Sequence, residues 1–129
     1  MIVVFDSGVW ISAMQFDGTP WLAIQKGLGF DQIAICAQIK DEITRTLVQK
    51  MGWSIHRVVE SLGLHLHDAI WASVPGNLYG VCRDHNDDMV LECAINANAK
   101  LIVAGDKDLL ILREYQGIRI VSPREYVIS

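Results

Sequence analysis

Two short runs, Ile2–Phe5 and Leu101–Ala104, are apolar at every position, without the alternation expected of a strand that faces water on one side. Strands of this kind have to be covered on both faces, as in a parallel sheet packed between helices. Ile33–Ala37 and Ile118–Val121, the latter broken only by Arg119, read as further strands, and Ala69–Val74 as one more. The segments between them have helical spacing. In Asp87–Asn98, Val90, Leu91, Ala94 and Ile95 recur on one face behind an acidic start that suits a helix N-terminus. Gln38–Lys50 repeats the pattern with Ile39, Ile43, Thr46 and Leu47, carries Asp41 and Arg45 as an i,i+4 pair, and is stopped by Gly52. Trp21–Leu28, with Thr19 as N-cap and Pro20 at the first position, and Ser54–Leu62 read as shorter helices. The alternation predicts an α/β fold built on right-handed crossovers.

The chain has 129 residues, of which 51% are apolar, so a single domain over 1–129 can sustain one core without disulfide or metal staples. The three cysteines, Cys36, Cys82 and Cys93, are odd in number and lack CxxC spacing, so they read as small core residues in a reducing cytoplasm. The longest uncharged stretch, Ala69–Cys82, is interrupted by Pro75, Gly76 and Asn77 and is too short for a membrane span. Met1 is followed at once by a strand-like run, with no basic n-region, so no secretory signal is expected. A net charge of −4 opposes binding of nucleic acid through a broad basic face, but not an enzyme that holds it through a bound cation.

The positions of the acidic residues are more informative than their number. Asp6 directly follows the first apolar run, and Asp106 follows Leu101–Gly105 in the same way. The carboxyl ends of parallel strands form the edge where ligands bind, and a helix that leads into a strand begins at that same edge, which brings Asp87 to it. Glu42 borders the apolar stripe of its helix beside Ile43 and is the fourth candidate. Two carboxylates about 4 Å apart repel by roughly 4 kcal/mol at an effective dielectric near 20, so a gathering of four calls for a divalent cation. Oxygen ligands without a His or Cys cluster suit Mg²⁺ or Mn²⁺, and such an ion supports hydrolysis of a phosphodiester while screening the acidic site from an anionic backbone. Taken singly, Asp6 is explained as a turn former, Asp87 as a helix cap and Glu42 as a solvated helix residue; their conjunction is what points to a site. Asp84, Asp88 and Asp108 each neighbour a stronger candidate and deepen the local negative potential.

With these residues placed, the chain resembles the PIN-domain family, and within it the VapC-like toxin components of bacterial and archaeal toxin–antitoxin systems. Val3-Val4-Phe5-Asp6-Ser7 with Ser12 resembles the opening strand and its D-[TS]-N start, and Asp41-Glu42-Ile43 the internal acidic helix motif. Arg83-Asp84-His85-Asn86-Asp87-Asp88 resembles the R-D-P-x-D-D segment, Ala104-Gly105-Asp106-Lys107-Asp108-Leu109-Leu110 the T-G-D-x-D-L-L strand end, and Pro123-Arg124-Glu125-Tyr126 the closing P-R-E-F. The resemblance covers essentially the whole chain. It implies a three-layer α/β/α fold with a parallel sheet of about five strands. It also implies a Mg²⁺- or Mn²⁺-dependent ribonuclease, frequent homodimerisation and inhibition by a cognate antitoxin. The family's acidic quartet falls on Asp6, Glu42, Asp87 and Asp106, with Asp6, Asp87 and Asp106 as metal ligands and Ser7, Asp88 and Asp108 as accessory residues. Two departures stand out: the family's Asn after the first Asp is Gly8, and the Thr before the final G-D is Ala104.

Those departures motivate a competing reading, a PIN-fold binding module with weakened turnover that holds an antitoxin, a partner subunit or RNA. An aspartyl-phosphate mechanism at Asp6 is disfavoured, because the second acid such enzymes carry two residues on is Gly8 here. His65 and His67, beside Asp68, would share a face if strand-borne, but nothing nearby completes a metal site. Trp10, Trp21, Trp53 and Trp71 lack the basic interleaving of a stacking platform and read as core or interface residues. Arg45, Arg83, Lys107 and Arg113 lie near the candidate site in sequence, where they are either phosphate contacts or ordinary surface groups.

Overall fold

The strand β1 (Ile2–Phe5) is central, paired in parallel with β2 (Gln32–Cys36) on one side and with β4 (Leu101–Val103) on the other. The computed structural model describes residues 1–129. Outside β2 lies β3 (Ile70–Ala72), and outside β4 lies β6 (Ile118–Val121), both parallel to their neighbours. The two-residue β5 (Glu114–Tyr115) runs antiparallel along β6 and completes the order β3-β2-β1-β4-β6-β5. The sheet thus has the expected parallel strands plus one antiparallel edge strand. That addition comes from a two-residue turn at Gln116 (φ 50°) and Gly117 (φ 83°), whose left-handed backbone matches the twist of a tight hairpin.

Seven helices cover this sheet: α1 (Ser7–Gln15), α2 (Thr19–Phe30), α3 (Ala37–Gln49), α4 (Ile55–His65), α5 (His85–Asn96), α6 (Lys107–Leu110) and α7 (Pro123–Ile128). α1 packs on α2 and α3, α2 on α7, and α3 on α4, while α5 spans β1 to β4. Right-handed crossovers account for the layers: the chain steps from β1 to β3 through α1–α4, then reverses and returns through α5 on the opposite face. The reversal makes the crevice between the carboxyl ends of β1 and β4 a topological switch point.

Several local expectations shift. Thr19 is the first residue of α2 rather than its cap; Gly18 is the N-cap and offers no side chain. α5 begins at His85 with Asp84 as its cap, so Asp87 sits inside the first turn and not at the cap. His65 and His67 are not on a strand: α4 runs on to His65 because its stripe of Val58 and Leu62 continues to the buried Leu66, and His67 lies in the turn beyond. Trp10 and Trp53 are buried and Trp21 is half-buried, but Trp71 is exposed, with the Lys40 ammonium over its ring. Cys36 and Cys93 are buried and Cys82 is half-buried, all three free. Helix α1 was not apparent in the sequence, since Gly8, Val9 and Ile11 are poor helix formers. It is held by the Asp6 cap and by burial of Val9, Trp10 and Ala13. No helix is long and apolar enough to cross a membrane.

The core fixes the end of β1. Phe5 meets Trp10 and Tyr126 edge-on, with ring centroids 5.9 and 5.8 Å away. Gly27 of α2 lies against the same ring, where an added Cβ would come 2.9 Å from Phe5 Cε2 and Cζ. Because Phe5 is fully buried, the ring cannot withdraw. Overpacking of about 1–3 kcal/mol then outweighs the gain of about 1 kcal/mol from replacing a helical glycine. Gly27→Ala is therefore expected to lower the urea midpoint with an unchanged m-value, a net loss of about 1 kcal/mol.

Candidate functional site

Asp6 extends the ladder of β1 by one step, its N–H donating to the Val103 carbonyl at 3.0 Å, and then turns into α1. Its Oδ1 accepts from the Val9 N–H at 2.9 Å, so the carboxylate that caps α1 is also the one delivered to the crevice. Asp106, beyond β4, caps α6 in the same manner by accepting from the Asp108 N–H at 2.7 Å. Asp87 arrives from the first turn of α5, directed there by the crossover that feeds β4. These three carboxylates, together with Glu42 from α3, line one cleft of about 420 Å³, with Ser7, Gly8, Ser12, Asp84, Asn86 and Gly105 around them. The sequence quartet is thus gathered at a single cleft at the switch point of the sheet.

The accessory candidates divide. Ser7 lines the cleft. Carboxylate oxygens of Asp108, Asp87 and Asp106 all lie within 4.8 Å of one another, and Asp108 is gripped by Arg83 Nη2 at 2.9 and 3.2 Å. Asp88 faces elsewhere: its Oδ1 accepts from the Cys82 N–H at 2.7 Å, and its Oδ2 lies 3.7 Å from His85 Nδ1. Asp84 is both the cap of α5, accepting from the Asn86 N–H at 2.9 Å, and part of the cleft wall. Arg45 is neither in this cleft nor far from it. It lines an adjoining cleft of about 200 Å³ that shares Glu42 and Asn86 with the first.

The electrostatics follow from this crowding. Asp6, 5% exposed, has its pKa raised to about 6, first by burial and partly offset by the Val9, Gly105 and Asp106 backbone N–H groups, with the Asp106 charge adding to the rise. Asp87, 8% exposed, is raised to about 7 by burial and then by the charges of Asp106, Asp84, Asp6 and Asp108. Asp87 Oδ2 is buried without a hydrogen-bond partner. A buried carboxylate oxygen left unsatisfied among other carboxylates is costly as an anion unless a cation joins it. The donor set is oxygen only, since no His or Cys lines the cleft, and this fits a hard divalent ion such as Mg²⁺ or Mn²⁺.

Two features here had no clear sequence signal. Glu92 interrupts the apolar face of α5 yet is buried, accepting from the N–H groups of Gly76 and Leu78. Tyr79, on the loop so tied, stacks on His85. A glutamate between Leu91 and Cys93 in a helix under cover was the one available hint of such a clamp.

Comparison with known proteins bears on this arrangement. The family model described as the PIN domain matches residues 2–108. Among solved structures, the chain is similar to the crystal structure of VapBC2 from Rickettsia felis bound to a DNA fragment from their promoter. That match has a TM-score of 0.66 and 16% identity, and covers 93% of this chain and 97% of that one. No curated protein matches in sequence.

Proposed function

The chain belongs to the PIN-domain family, and from that premise we propose that it is a Mg²⁺- or Mn²⁺-dependent endoribonuclease, the toxin of a toxin–antitoxin pair. The observation that carries this reading is the convergence of Asp6, Asp87 and Asp106 from chain-distant elements, with one buried oxygen of Asp87 unsatisfied. Asp6, Asp87 and Asp106 hold the cation, with Asp108 beside them. When bound, such an ion lowers the pKa of water and offsets the charge that develops on the phosphoryl oxygens. Glu42, from the α3 side of the cleft, orients the attacking water, and Ser7 offers a hydroxyl to the substrate. Arg45, in the adjoining cleft, supplies a positive charge for a neighbouring phosphate. RNA is the substrate, a cognate antitoxin restrains the chain, and it acts as a homodimer in the cytoplasm. The antitoxin partner is supported by the fold's likeness to VapBC2.

Metal-titrated cleavage of mixed single-stranded RNA tests the reading. Activity should appear with Mn²⁺ or Mg²⁺ and vanish in excess EDTA; equal cleavage in EDTA would overturn it. A second reading, a binding module with little turnover, is favoured by one observation. Gly8 leaves open the space next to Asp6, where an added Cβ would sit 3.6 Å from Asp6 Oδ1 in ordinary contact. That contact leaves room for a Cβ, and an Asn there would carry an amide on the side of the first carboxylate. Gly8→Asn is expected to raise the cleavage rate several-fold, about 1 kcal/mol of transition-state stabilisation. Calorimetric metal binding with no cleavage by either protein would favour the binding module.

A further inference from the structure

We propose that Tyr79, stacked on His85 beside the acidic cleft, is a platform for an unpaired base of the RNA, which restricts cleavage to single-stranded substrate; the proposal rests on the ribonuclease reading. The two rings lie 4.9 Å apart between centroids and 6° from parallel. Tyr79 is nevertheless 72% exposed, so while one face rests on the imidazole the other is open. His85 stands between Asp84 and Asn86 and two residues before Asp87, and all three of those residues line the cleft. His85 itself does not line the cleft, its Nδ1 lying 3.7 Å from Asp88 Oδ2, so the stack flanks the cleft at the start of α5, where the chain neighbours of His85 form the wall.

The loop that carries Tyr79 is tied down on both sides of it. Glu92 accepts from the Gly76 N–H at 3.2 Å and the Leu78 N–H at 3.0 Å, and Asp88 Oδ1 accepts from the Cys82 N–H at 2.7 Å. Earlier in the loop, Asn96 Nδ2 donates to the Ser73 carbonyl and Gln38 Nε2 to the Val74 carbonyl. Gly76 and Gly80, at φ 89° and 72°, provide the left-handed turns on either side. Buried carboxylates are thus committed to holding a loop whose exposed aromatic ring packs on one other ring. Ordering of the loop before binding removes that entropic cost from association. An open ring face beside a phosphodiester-cleaving cleft suits a nucleobase, because every base has a π-face. Bases within an A-form duplex are already stacked on their neighbours and cannot present that face.

The test compares wild type, Tyr79→Ala, Tyr79→Phe and Tyr79→Trp on a mixed-sequence single-stranded RNA oligonucleotide and on the same oligonucleotide annealed to its complement. Tyr79→Ala should raise KM by about 5- to 150-fold, with the loss confined mainly to KM. Phe and Trp should restore it, and the duplex should resist cleavage. An oligonucleotide with abasic sites flanking the cut should no longer distinguish Tyr79→Ala from wild type. An unchanged KM in Tyr79→Ala, failure of Phe and Trp to rescue, or equal cleavage of the duplex would overturn the platform. Absence of cleavage by every protein sinks the ribonuclease reading instead. Fluorescence anisotropy with the labelled oligonucleotide then decides the platform by itself: equal affinity of wild type and Tyr79→Ala ends it.

Discussion

Asp106→Asn is expected to abolish RNA cleavage, by about a thousandfold or more, while leaving the fold intact. The fold should survive because Asp106 is exposed and its one structural bond, to the Asp108 N–H, can be accepted by an Asn amide oxygen. Activity should not, because the exchange removes one of the three cleft charges, those of Asp6, Asp87 and Asp106, proposed to hold the cation. A cation held by the proposed carboxylates contributes several kcal/mol to the transition state, and a loss of about 4 kcal/mol corresponds to roughly a thousandfold in rate. Asp108→Asn is the informative contrast. Its main partner is the largely exposed Arg83 guanidinium, so it should cost under about tenfold. A metal-titrated cleavage assay with matched melting curves reads both. An Asp106→Asn enzyme within tenfold of wild type would remove the cation from the mechanism.

A second large effect lies in the stability of the metal-free protein. Asp6 and Asp87 have folded-state pKa values of about 6 and about 7, against 3.8 for the ordinary carboxyl. The folded chain therefore holds protons that the unfolded chain releases. The resulting stability is fully present below pH about 3.8 and is lost as pH rises through about 6 and 7. For Asp6 the loss is about 3 kcal/mol. Asp87 opens onto the cleft, and solvent screening trims its share. Asp6→Asn, which keeps an acceptor for the Val9 N–H, should melt roughly 5–10 °C above metal-free wild type at pH 8, by about half that margin at pH 5, and close to it only below pH about 3.8. Saturating Mn²⁺ should raise the wild-type Tm at pH 8 and do much less at pH 5, with protons released on binding. Thermal melts of the two proteins that ran parallel from pH 5 to 8 would contradict the assignment.

The fold was legible where the pattern was strong. β1 and β4 carry unbroken apolar runs, which only a covered parallel strand accommodates, and α3 carries a clean stripe of Ile39, Ile43 and Leu47. Legibility failed where tertiary packing overrode local preference. α1 contains Gly8 and β-branched residues and forms because Trp10 is buried against the core and Asp6 caps it. β5 is two residues long and exists by virtue of its turn and of β6. α5 is buried on nearly every side, which blurs its periodicity and hides Asp88 and Glu92 among core positions.

By itself the chain determined that Asp6 and Asp106 reach one sheet edge, since a strand's end and the hand of its crossovers are local properties with a fixed outcome. The tertiary structure alone decided which acids do what. Burial raises Asp6 and Asp87, a loop takes Asp88 and Glu92 as anchors, and Tyr79 comes to rest on His85. Desolvation and through-space contact depend on what the rest of the molecule brings within a few ångströms, and no local pattern of residues encodes that neighbourhood.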